Sequence, residues 1–168
     1  MMLVLLTAVL LHQRAPAPAP VRSFDAGPLA LELPVTWRAS RQGDSFRFDA
    51  SGGRAFLLID ISQVETKGLS SEECLERVLA KLPVHTQARR QVGVWPGARL
   101  ESWDRSANAE QTMLTQTFFA CDGKQAFSIL FYLPLTELTY WRSVAERAIA
   151  SLKPRAAPLG DLSETSQK

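Results

Sequence analysis

Histidine is almost missing from this chain: there are two, His12 and His85, among 168 residues. Metal sites draw on several Cys, His or carboxylate ligands at once. Two distant cysteines, Cys74 and Cys121, together with His85 do not make such a set. A Ser-His-Asp arrangement would need His85 as its base, yet His85 follows Pro83-Val84 in a stretch that reads as an exposed loop. Phosphate-cradling glycine loops are also missing. Gly52-Gly53 lacks the G-x-x-x-x-G-K pattern and reads as a turn. No Lys or Arg run exceeds the pair Arg89-Arg90, and the net charge is only +2, which argues against nucleic acid or an anionic membrane as partner. No apolar run reaches the roughly 20 residues that a membrane-spanning helix needs. These absences predict a protein that is not an enzyme and that carries no metal and no cofactor.

What is there is ordinary for one folded domain: 46% hydrophobic and 21% charged residues. Met1–Leu11 (MMLVLLTAVLL) is continuously apolar and matches the core of a secretory signal peptide. An uncleaved anchor and a misassigned start codon are the other two readings. Ala15–Pro20 (APAPAP) follows as an extended spacer. Export to the periplasm or the extracellular space is the expectation. In such a compartment two cysteines are free to pair. The favoured reading is nonetheless two separate buried thiols, since nothing in the pattern brings a helix start (Cys74) to a strand tip (Cys121).

The chain is organised around its last third. Glu110–Cys121 is rich in Thr and Phe and suits a pleated surface. Asp122-Gly123 is a hairpin signal. Gln125–Leu133 returns with Phe127, Ile129, Phe131 and Leu133 on one face, and Pro134 ends it. Thr136–Leu152 then shows one helical stripe through Leu138, Trp141, Val144, Ala145, Ala148, Ile149 and Leu152, with Thr136 as candidate cap. Phe127, Ile129 and Phe131 are expected to pack against Trp141 and Ile149.

Earlier in the chain, Ser23–Asp25 and Leu29–Leu33 read as a hairpin around Ala26-Gly27-Pro28, and Ser45–Asp49 and Ala55–Glu65 as strands. Ser70–Leu82 reads as a helix opened by a Ser70/Glu73 capping box. Gln87–Val92 reads as a polar strand, Trp95-Pro96-Gly97 as a turn and Ala98–Ser106 as a loosely alternating strand. Asp60 interrupts an apolar strand, and a strand face that becomes solvated toward Ser62 accounts for it. The order of elements predicts an α+β fold, a mostly antiparallel sheet with helices packed on it. Residues 21–154 are the expected domain, and 155–168 an unstructured tail.

Leu33-Pro34-Val35-Thr36-Trp37, the strand AFLLIDIS, the capped helix SSEECLERVL and the close through Ile149, Ser151 and Leu152 together resemble the PsbP-like superfamily (PsbP, Mog and DcrB-like domains). The resemblance runs from Phe24 to Pro154. It implies a sandwich of antiparallel sheet and helices, no shared catalytic residues, and binding of other proteins. The expected function is thus a non-enzymatic exported domain that binds a protein partner in the cell envelope. One alternative is a small-ligand binder using a cleft between sheet and helix. Another is a cytoplasmic type VI secretion effector chaperone, should the N-terminus be misassigned. Trp95, Trp103, Arg89 and Arg90 are the candidate contact residues, because aromatics and arginine are enriched at interface hot spots.

Overall fold

A computed structural model describes residues 19–64, 68–82, 87–105 and 112–156. The expected signal segment, His12, most of the Ala-Pro spacer, His85 and the tail beyond Ala156 lie outside the described residues.

Among the described residues ten strands and two helices alternate along the chain. The strands are β1 (Val21–Ala26), β2 (Leu29–Pro34), β3 (Arg38–Gln42), β4 (Ser45–Asp49), β5 (Phe56–Gln63), β6 (Ala88–Val92), β7 (Trp95–Asp104), β8 (Met113–Cys121), β9 (Gln125–Pro134) and the short β10 (Lys153–Pro154). Helix α1 (Ser71–Leu79) lies between β5 and β6, and α2 (Leu138–Ser151) between β9 and β10. Seven strands form one sheet in the order β3-β4-β5-β9-β8-β7-β6, and β1-β2-β10 form a second. Every pairing is antiparallel.

The expected α+β class is therefore corrected. With 53% strand and 18% helix the fold is β-rich. Apolar periodicity undercounts such a fold, because β3 (RASRQ) is exposed at every position and β10 has only two residues. Neither offers a buried face to read.

Side chains alternate across the large sheet. Leu57, Ile59, Phe127, Ile129, Phe131 and Phe118 share one face, which α2 and the small sheet cover; they join Trp141, Val144, Ala148, Ile149 and Leu31 in the main core. The expected packing of Phe127, Ile129 and Phe131 with Trp141 and Ile149 is thus observed. Burying each of the larger side chains stabilises the fold by roughly 1.5–3 kcal/mol. On the opposite face α1 lies over β7, β8 and β9, where Cys74, Leu75 and Leu79 meet Ala98, Phe119 and Cys121 in a smaller second core.

Several local expectations meet their physical cause here. Ser70 caps α1: its hydroxyl accepts from the Glu73 backbone N–H, and the Glu73 carboxylate accepts from the Ser70 N–H. The Ser70 N–H and the Ser70 hydroxyl both donate to the Glu73 carboxylate and hold it below its ordinary value of 4.5. Asp122 Oδ1 accepts from the backbone N–H groups of Lys124 and Gln125, which closes the β8–β9 turn. The two central residues are Gly123 and Lys124, one place later than expected, because the Asp122 N–H bonds the Gln125 carbonyl.

Three expectations are corrected. Trp95-Pro96-Gly97 is the start of β7, not a turn. The turn is Gly93-Val94, with Gly93 at φ +58 and its Cα against the Leu152 backbone, where no side chain fits. Thr136 does not cap α2: the cap position is Glu137, in a left-handed conformation, and no side chain bonds the helix end. Cys74 and Cys121 are not separate thiols but a disulfide, their Cα atoms 5.9 Å apart, within the usual range for such bridges. Sequence distance had kept them apart; the antiparallel sheet puts the end of β8 directly beneath the first turn of α1.

Candidate interaction surface

The four residues singled out by composition do not form one surface. Trp95 is 8% exposed and stacks its ring 5.1 Å from that of Phe127, inside the main core. Trp103 is 41% exposed and stands eight positions further along β7, about 26 Å away at the usual rise per residue. Arg89 and Arg90 are neighbours in β6 and so point to opposite faces. Arg89 pairs with Glu76 of α1, while Arg90 forms a two-pronged bond with Glu146 of α2 at 2.6 and 2.9 Å and lies over the Phe118 ring. Trp95 and Arg90 thereby serve packing, and only Trp103 stays free for a partner.

Six large apolar side chains are exposed among the described residues: Val21, Val35, Val94, Trp103, Leu135 and Tyr140. All but Val94 fall at one end of the molecule, and strand register puts them there. Val21 pairs with Pro34 where β1 starts and β2 stops, and Val35 follows at once. Met113 pairs with Pro134 where β8 starts and β9 stops, and the Leu135 N–H bonds the Thr112 carbonyl. Trp103 pairs with Leu114 one step below that rim. Tyr140 sits in the first turn of α2, its ring 4.8 Å from Trp141, which in turn meets Trp37 at 6.2 Å. The buried pair Trp37–Trp141 thus anchors a rim of exposed Val35, Leu135, Tyr140 and Trp103. A signal for part of this was present in the sequence: Val35 and Leu135 each follow a proline that ends a strand, whereas Tyr140 lies within α2 and Trp103 within a ladder pair, and no proline marks either.

Beside this end runs a charged seam between α2 and the sheet. Glu146 accepts from Arg90 and, at 3.4 Å, from Arg99; Glu101 lies 3.6 Å from Arg99 and 3.5 Å from Arg142. Gln116, 1% exposed, donates to Glu101 at 2.6 Å. The Arg90 bonds hold the Glu146 carboxyl below its ordinary value of 4.5, against the opposing pull of partial burial. Arg142 and Glu146 lie off the apolar stripe of α2 yet turn to the sheet, where Arg90, Arg99 and Glu101 pair with them. On the other face Asp60 accepts from the Ser45 hydroxyl on the neighbouring strand, a structural partner for the one carboxylate that interrupts β5.

Among the described residues no group of three or more His, Cys, Asp or Glu is placed to hold a metal ion, and no helix is long and apolar enough to cross a membrane.

Fold and surface together define a two-sheet, β-rich domain with one apolar end. Neither protein families nor curated proteins yield a match to this chain. Among solved structures, a protein of Bacteroides thetaiotaomicron VPI-5482, solved at 1.50 Å, superposes with a TM-score of 0.63 at 16% identity, the match covering 82% of this chain and 49% of that one. The chain thus spans about half the length of the solved protein it matches, and likeness at this identity is likeness of fold.

Proposed function

We propose that this chain is a non-enzymatic, exported domain that binds another protein in the cell envelope through its apolar end. The observation that carries the reading is the collection of Val21, Val35, Trp103, Leu135 and Tyr140 at one end, against Val94 alone elsewhere among the described residues. Contiguous exposed apolar surface marks interaction sites, and Trp and Tyr supply much of the energy where such surfaces meet. The Cys74–Cys121 bridge supports the exported location, since such bonds persist in oxidising compartments.

The test places a photo-cross-linking residue at Tyr140 or at Val94 in the full chain, expressed in its native host. Under this reading Tyr140 yields a discrete adduct in the envelope fraction, and Trp103→Ser in the same chain reduces it. Val94 yields none. Equal adducts from both positions, or a product insensitive to Trp103→Ser, would overturn it. Mass spectrometry of the mature N-terminus tests export separately: an intact Met1 on a protein confined to the cytoplasm would contradict it.

A further inference from the structure

The second core is not closed. Between the C-terminal half of α1 and strands β5, β8 and β9 lies a half-open cleft of about 820 Å³. Its apolar lining includes Val64, Val78, Leu82, Phe119 and Ala126. Two cations, Arg77 and Lys81, one helical turn apart, stand on its wall. Both are exposed, and neither forms an ion pair with any described residue. Cations at a helix C-terminus complement its dipole, which accounts for their charge. It does not account for the apolar floor left open beside them.

We infer that this cleft binds a single-chain amphiphile, an acyl chain lying on Phe119 and Ala126 with its anionic head on Arg77 and Lys81. The volume falls within the range of roughly 300–1,000 Å³ typical of small-molecule sites. Charge selects the head, since two cations and, among the described residues, no carboxylate line the wall; the Glu73 that Arg77 faces lies one turn back on α1, outside the lining. Backbone pairing selects the tail. Strands β8 and β9, which carry Phe119 and Ala126, are each hydrogen-bonded on both sides, so this floor offers no free strand edge to an extended peptide. A chain without amide groups leaves nothing unpaired when it is buried there. The site lies across the sheet from the seam between α2 and β7 and is independent of the protein-binding end.

The probe is dodecanoate below its micelle concentration, titrated into the full disulfide-bonded chain by calorimetry, with dodecyltrimethylammonium as the cationic counterpart. Saturable binding of one dodecanoate per chain is expected, and weaker binding of the cation. The double variant R77E/K81E, at exposed positions that the core does not use, weakens dodecanoate by about tenfold, since two attractions become repulsions. Amide shifts on titration gather at Val78, Leu82 and Ala126. No saturable binding, equal affinity for both head groups, or shifts gathered at Trp103 and Tyr140 would each overturn the inference. The head-group comparison uses the unaltered chain, so the test stands even where a variant folds poorly.

Discussion

Glu146 is one carboxylate holding three elements together, because Arg90 comes from β6, Arg99 from β7 and Glu146 itself from α2. Its folded-state pKa lies below the ordinary 4.5. A depressed carboxyl contributes stability that is fully present above the unfolded value and is lost as pH falls through the folded one. Glu146→Gln is therefore expected to unfold at lower urea than the parent at neutral pH, and the two midpoints to converge as pH drops below 4.5. A gap that stays constant through the acid range would mean the seam contributes packing alone. Trp95 gives a contrasting expectation. Its ring is buried against Phe127, so Trp95→Ala is expected to cost roughly 3–5 kcal/mol of stability while leaving partner capture by the folded fraction unchanged. That division was invisible in the sequence. A Trp followed by Pro-Gly looks like an exposed turn, and only the register of β6 with β7 shows the turn two residues earlier at Gly93-Val94. Arg90 misled in the same way: next to Arg89 it reads as solvated charge, but alternation along β6 sends it under α2.

The elements best read from sequence are those that signal their own ends. The Ser70/Glu73 box placed the start of α1, and Asp122-Gly123 placed the β8–β9 turn. The stripe of α2 gave its buried face, though not its first residue, because Glu137 takes the cap position without a side-chain bond. β3 was missed altogether, since five exposed residues carry no pattern. Helix α1 also shows why the disulfide matters. The helix has nine residues, too few to be stable alone in water, and its apolar anchorage is limited to Leu75 and Leu79 with half-buried Val78. The bridge from Cys74 closes a loop of 47 residues to Cys121. Loop-closure entropy assigns such a link about 4 kcal/mol, and measured losses run at about 2–5. The Cys74→Ala/Cys121→Ala chain is thus expected to lose about 2–4 kcal/mol in urea unfolding. Its α1 amides should also exchange hydrogen ahead of those in β8 and β9. An unchanged midpoint would mean α1 is held by its side chains alone.

At the scale of the whole molecule, the two ends are built differently. At the Val94 end the fold seals itself: Gly93 admits the Leu152 backbone, and β10 returns along β2 to close the small sheet. At the other end β1, β2, β8, β9 and α2 all start or stop. The rim there keeps its apolar side chains exposed at or just past the ladder ends and in the first turn of α2, although Trp37 and Trp141 fill the space below. Composition alone could not show this, because Val21, Val35, Trp103, Leu135 and Tyr140 are scattered over most of the chain and meet only through antiparallel return. Side chains that stability does not need can be removed without unfolding the protein. Trp103→Ser and Tyr140→Ser are therefore each expected to shift stability by no more than about 0.5 kcal/mol, the usual range for surface positions, and together to abolish partner capture. Trp37→Ala, one layer beneath, should cost roughly 3–5 kcal/mol instead. Thermal melts of the three variants beside the cross-linking yield separate the two layers. If the exposed pair proves as costly to stability as Trp37, the apolar rim belongs to the core and the protein-binding surface must be sought elsewhere on the molecule.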